Sequence, residues 1–101
     1  MFYLPEDLQR MFSDRLLDEK IANVRMQMDF YFGDCNYPND SHLHRILNEE
    51  GYAPIESILT WNRMRHWRAT HDDVLEAARY SNIFEISPNQ MGARKKAQDM
   101  N

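Results

Sequence analysis

The sequence is poor in the features that mark most catalytic, secreted and membrane-spanning chains. Its single cysteine, Cys35, rules out an internal disulfide framework and fits a reducing compartment, so a nuclear or cytoplasmic protein is expected. With only three glycines there is no room for a glycine-rich phosphate loop, and neither a nucleophile elbow nor a paired-carboxylate arrangement appears. No catalytic residue and no cofactor are therefore expected. No apolar run approaches the length of a membrane span, and Met1-Phe2-Tyr3-Leu4-Pro5-Glu6-Asp7 lacks the basic and apolar regions of a signal peptide. A soluble, unexported chain with no membrane partner is the expectation. Positive charge is scarce too: 12 Lys and Arg against 16 Asp and Glu leave a formal net charge of -4. The chain lacks the global field that drives sequence-blind binding to duplex nucleic acid, and any nucleic-acid contact must be local.

What is present is enough for one modest core: 101 residues, of which 43% are hydrophobic. Pro5-Glu6-Asp7 resembles a first helical turn and predicts a short helix before residue 14. From Asp14 to Phe32 the signal is stronger, because Leu17, Ile21, Val24, Met28 and Phe32 recur at helical spacing and form one buried stripe. Pro38-Asn39-Asp40 predicts the start of another helix that turns Leu43, Ile46 and Leu47 inward and closes at Gly51. Tyr52-Ala53 reads as a brief extended segment, after which Pro54 restarts a helix carrying Ile55, Ile58 and Leu59. Thr70 with Asp73 three residues on is an N-cap signal for a helix burying Val74, Leu75 and Ala78 and ending near Ser81-Asn82. Ile83-Phe84-Glu85-Ile86 reads as a strand, Pro88 to Gly92 as a turn, and a return strand is expected near Ala93. The fold class is α+β, mostly helical. Short helices followed by a small hairpin, with extra N-terminal helices in front, is the order of a winged-helix domain. The expected division is an N-terminal segment 1–13, the winged-helix domain 14–96 and a polar tail 97–101.

One stretch does not fit ordinary packing. Gln27-Met28-Asp29-Phe30-Tyr31-Phe32-Gly33-Asp34 ends a helix in a run of aromatics, and Cys35-Asn36-Tyr37-Pro38-Asn39-Asp40 continues it with turn residues and an acid. Met28 and Phe32 belong to the buried stripe, whereas Gln27, Phe30 and Tyr31 cluster about 100° around the cylinder. Aromatics are more often core than site, and Phe32 is read as core. Asp29 and Asp34 read as helix-end acids. Further on, Trp61-Asn62-Arg63-Met64-Arg65-His66-Trp67-Arg68-Ala69-Thr70-His71 holds three arginines, two histidines and no acid in an otherwise acidic chain. It reads as a solvated basic loop in which Arg63, Arg65 and Arg68 are candidate phosphate contacts and Trp67 is buried. Arg94-Lys95-Lys96 is a weaker basic cluster, a second phosphate contact or a stub of a nuclear-import signal. Cys35, His42 and His44 are of the right types for zinc, but the spacing is not that of a closed site and no fourth ligand is evident, so no metal is expected.

Gln27 through Asp34, Asn36 through Asp40, Gly51-Tyr52-Ala53-Pro54-Ile55 and Trp61-Asn62-Arg63-Met64 together resemble the La motif of La and La-related RNA-binding proteins, over about residues 20 to 86. The resemblance implies a winged helix that binds the 3′ end of RNA finishing in uridines, within an aromatic pocket and not along the wing. Carried onto this sequence, it implies that Gln27 hydrogen-bonds a uracil edge, Phe30 and Tyr31 flank splayed bases, Asp40 accepts from the terminal ribose hydroxyls and Trp61 closes the pocket. Three positions depart from the family pattern: His42 and Trp61 each stand where phenylalanine is usual, and Phe30 where tyrosine is common. His42 still stacks but is smaller and titratable, Phe30 loses a hydroxyl, and Trp61 enlarges the stacking face. Aromatic faces that hold unstacked bases, a carboxylate facing vicinal hydroxyls and an amide facing a base edge are together suited to a single-stranded end.

The implied role is non-enzymatic: sheltering and chaperoning small noncoding RNAs such as RNA polymerase III transcripts and tRNA precursors, as a monomer, in the nucleus and also the cytoplasm. Ribonucleoprotein partners belong with that role. Two alternatives remain open, a subunit held on one noncoding RNA in a telomerase-type particle, and a winged helix that docks proteins or duplex DNA.

Overall fold

The computed structural model describes residues 6–97, with side chains from Asp18 onward. Pro5, the side chain of Leu17 and the tail from Gln98 lie outside the described residues.

The chain begins with one helix, α1 (Glu6–Phe32), 27 residues long and continuous across residues 13 and 14. The two helices expected from the sequence are thus one: no glycine or proline interrupts residues 6 to 32, and without a breaker the turn signal at the start only opens the longer helix. Val24, Met28 and Phe32 are wholly buried and Ile21 packs partly against them. α1 ends where Gly33 stands, and a Cβ at that position would lie 2.6 Å from the Asp29 carbonyl oxygen.

A 3-10 turn, Tyr37–Asn39, carries Pro38. The expected helix start at Pro38 is therefore a separate turn, and α2 (Ser41–Arg45) begins after Asp40, whose side chain caps it. α2 is short, so Leu43 is buried within it while Ile46 and Leu47 pack partly against the core beyond its end. Gly51, at φ 87°, turns the chain back into β1 (Ala53–Pro54). α3 (Ile55–Ile58) follows. The segment read as a basic loop contains a further helix, α4 (Asn62–His66), which buries Met64 and leaves Trp67 only partly covered. One apolar residue in five gives no periodicity, so α4 was invisible to pattern reading.

α5 (His71–Ala78) opens with the expected capping box: Thr70 Oγ1 accepts from the Asp73 amide, and Asp73 Oδ2 accepts from the Thr70 amide. Val74 and Ala77 are its fully buried residues, with Leu75 and Ala78 at the margin. β2 (Phe84–Ile86) and β3 (Gly92–Lys95) form the hairpin, and β3 also pairs with β1, giving an antiparallel sheet in the order β1-β3-β2. Ala93 faces both Ala53 and Ile86 in the register. Phe32 of α1 lies against Phe84 of β2 with ring centroids 6.2 Å apart, which joins helix and sheet in one core. The architecture is the winged helix expected, with α1 packed along it.

The strand also redefines the basic residues at its end. Arg94 lies over the Tyr52 ring and pairs with Glu85, Lys95 pairs with Asp34 at 2.6 Å, and Lys96 donates to the Ser81 carbonyl. Arg94 to Lys96, read from the sequence as a weak basic cluster, are all three held by these internal contacts. Asp29 is likewise more than a helix-end acid: Ser81 Oγ donates to it at 2.6 Å and accepts from the Ile83 and Phe84 amides, tying α1 to the start of β2.

Candidate nucleic-acid interface

The last turns of α1, the Gly33–Asp40 loop, the start of α2 and the start of α4 converge on one aromatic cluster. Tyr31 meets Trp61 edge to face, with centroids 4.7 Å apart at 81°. His42, exposed on the first turn of α2, lies 5.6 Å from the same Trp61 ring. Phe30 stands edge-on to Tyr31 at 6.2 Å and keeps 54% of its surface exposed. These rings offer faces and edges to a planar ligand while Tyr31 and part of Trp61 anchor them to the core.

Gln27 lies one turn before Tyr31 on α1 and is buried; its Nε2 lies beside the Tyr31 hydroxyl but makes no hydrogen bond of good geometry among the described residues. A buried donor left unpaired costs about 1–3 kcal/mol, so it is a group that gains by meeting a ligand acceptor. Burial pushes the Tyr31 phenol above its ordinary value, against the pull of the adjacent Gln27 amide and the Arg63 charge, with the Asp40 carboxylate adding to the rise. The hydroxyl therefore stays protonated throughout the neutral range.

Asp40 is held on two sides. Its Oδ1 accepts from the Leu43 amide at 3.0 Å, the N-cap of α2, and its Oδ2 accepts from Asn36 Nδ2 at 2.8 Å. Asn36 Nδ2 also donates to the Tyr31 carbonyl at 3.0 Å, so one amide couples the carboxylate to the aromatic helix end. Asn36 was not singled out from the sequence; its position four residues before Asp40 across Pro38 is the only local signal. Partial burial alone would raise the Asp40 pKa, but the Leu43 amide, Asn36 and the nearby His42 outweigh it and hold the carboxyl below its usual 3.8. Each oxygen retains acceptor capacity beyond its internal bond.

Arg63 and Arg65 extend outward on α4 and Arg68 follows its end in a left-handed conformation at φ 53°, all three exposed and without an ion pair among the described residues. Of the residues named from the sequence, Gln27, Tyr31, Asp40, His42 and Trp61 are thus gathered around one site, Phe30 stands at its open edge, and Arg63 lies close enough for its charge to act on Tyr31. Cys35 is exposed, and His44 Nε2 donates to the Tyr37 carbonyl at 2.7 Å.

The fold and this cluster define a winged-helix domain whose polar and aromatic groups gather at the end of α1. Comparison with known proteins agrees. Residues 24–80 match the family model of the La domain. The Lupus La protein homolog of Rattus norvegicus is 30% identical over 77 residues, covering 73% of this chain and 19% of that protein. La-related protein 1B of Arabidopsis thaliana is 31% identical over 81 residues, covering 80% of this chain and 17% of the relative. The solved La autoantigen N-terminal domain superposes with a TM-score of 0.72 at 28% identity, over 79% of this chain and 89% of that one. The chain belongs to the La domain family, within the RNA-binding La and La-related proteins. It spans about a fifth of the length of these curated relatives.

Proposed function

We propose that this domain captures the 3′-hydroxyl end of single-stranded RNA that terminates in uridines, and that it shelters small noncoding RNAs such as RNA polymerase III transcripts in the nucleus. Two terminal bases unstack and lodge among Tyr31, Trp61, Phe30 and His42, where base–aromatic stacking contributes about 1–3 kcal/mol per base. The Gln27 amide nitrogen donates to a uracil carbonyl; cytosine presents an amino group at the equivalent edge, donor against donor. Asp40 accepts from the vicinal 2′- and 3′-hydroxyls, so a 3′-phosphate is repelled and a deoxyribose lacks one of the two donors. Upstream phosphates run past Arg63, Arg65 and Arg68, a local basic strip that suits a chain with no global positive field.

The observation that carries this reading is the buried Gln27 nitrogen within the aromatic cluster, which has the Tyr31 hydroxyl beside it but no hydrogen bond of good geometry among the described residues. The test compares affinity for oligouridine with a free 3′-hydroxyl, the same RNA with a 3′-phosphate, oligocytidine and duplex DNA. Tight binding to the first and at least about tenfold weaker binding to each of the others, roughly 1.4 kcal/mol, is expected. Equal affinity for the hydroxyl and phosphate ends would remove Asp40 from the recognition of the terminus.

A further inference from the structure

Earlier along α1, on the side that packs against α5, lies a groove of about 680 Å³ that RNA capture does not use. Its floor is Ile21, partly buried against the core, and the exposed Ala22. Tyr80, just past the end of α5, stands at one edge with 62% of its surface exposed. The rim is acidic: Asp18, Asp72, Asp73 and Glu76 against Arg25 alone. Arg25 is held at 2.8 Å by Asp29, which lies outside the groove, so its charge is already answered. Asp73 is occupied by Lys20 at 2.9 Å and by its capping box, and Glu76 by Arg79 at 3.2 Å and by the Tyr80 hydroxyl, whereas Asp18 and Asp72 are exposed and present their charge outward.

We propose that this groove docks a basic amphipathic segment of a partner protein, with an apolar side chain on Ile21 and Ala22 against the Tyr80 ring and lysines or arginines over the exposed Asp18 and Asp72. The charge pattern selects the occupant. A nucleic-acid backbone or an acidic peptide meets carboxylates on both sides of the groove, and a purely apolar segment leaves them to be desolvated without partners. A cationic segment with an apolar anchor satisfies both features. Tyrosine is, with tryptophan and arginine, among the residue types enriched where such contacts carry the binding energy. The groove shares no lining residue with the aromatic cluster of Tyr31, Asp40 and Trp61, so peptide and RNA are held together and not in competition.

The test titrates the 15N-labelled protein with a synthetic helix built of leucine and lysine, with oligolysine and a leucine–glutamate helix as controls. Expected are amide shifts centred on Ile21, Ala22, Asp72, Glu76 and Tyr80, saturable binding of the leucine–lysine helix alone, and no displacement by oligouridine. Tyr80→Ser and, independently, Ala22→Lys should each weaken the helix about tenfold or more with helical content and oligouridine affinity unchanged. Oligolysine binding as tightly as the helix, shifts spread over the acidic surface, full affinity in both folded variants, or displacement by oligouridine would each overturn the proposal.

Discussion

Asp40 has two jobs in the arrangement described, and two substitutions separate them. As N-cap of α2 it accepts from the Leu43 amide, and as an anchor it accepts from Asn36. Asp40→Ala removes both acceptors. Loss of an N-cap costs about 0.5–2 kcal/mol, and the Asn36 amide keeps its second bond to the Tyr31 carbonyl, so little more is lost there. A destabilisation of about 1.5 kcal/mol follows, or a fall in Tm of roughly 6–12 °C for a domain of this size. Asp40→Asn keeps a capping oxygen, because asparagine is as good an N-cap as aspartate, but turns its amide nitrogen toward Asn36 Nδ2, donor against donor, so its Tm should fall by less than that of Asp40→Ala but not stay at the parent's. Yet it removes the charge that strengthens hydrogen bonds from the ribose hydroxyls. Hydrogen bonds to a charged group contribute about 1.5–3 kcal/mol, which predicts a loss of oligouridine affinity of roughly tenfold or more. Thermal melts by circular dichroism and fluorescence titration with labelled oligouridine read the two effects independently. If Asp40→Asn melts above Asp40→Ala and binds RNA as the parent does, the carboxylate is a helix cap and nothing more. If it melts as low as Asp40→Ala, the division of roles is wrong.

The edge-to-face pair of Tyr31 and Trp61 should show a coupling of about 0.5–1.5 kcal/mol in a double-mutant cycle on stability, measured by urea unfolding; additive single effects would mean that the rings merely adjoin. Since the Asp40 pKa in the fold lies below its ordinary 3.8, the carboxyl contributes stability that is complete above the unfolded value and is lost as pH falls through the folded one. Stability and oligouridine affinity should therefore be level from neutrality down to about pH 5 and decline together below pH 4, a trend that Asp40→Asn should blunt. Arg63→Ala and Arg65→Ala should each weaken binding without altering preference for the 3′-hydroxyl, and each should lower the slope of log affinity against log salt by about 0.7. An unchanged slope in both would place the phosphates elsewhere.

Local chemistry made much of this fold readable. The stripe Val24, Met28 and Phe32, the Thr70–Asp73 capping box and the turn from Pro88 to Gly92 act over a few residues, and each produced the expected element. The spaced blocks from Gln27 to Trp61 were enough to suggest the family that the comparisons establish. Readability failed where the deciding partner is distant in sequence. Asp29 became a tie between elements because Ser81, 52 residues on, closes over it, and Lys95 was fixed by Asp34. β1 is a strand only because β3 lies beside it, and two extended residues carry no pattern that predicts a neighbour.

Sequence alone thus determined most of the helical segments, though not α4, and which residue types stand ready for an RNA end, because periodicity, caps and turns depend on near neighbours. Tertiary structure decided the rest: that Phe30 stays exposed while Tyr31 is buried beside Trp61, that the Gln27 nitrogen is buried without a hydrogen bond of good geometry among the described residues, and that Asn36 locks Asp40 to the helix end. Those outcomes depend on where α4 and the Gly33–Asp40 loop fall against α1. Packing sets that geometry over the whole core, and no spacing within one segment encodes it.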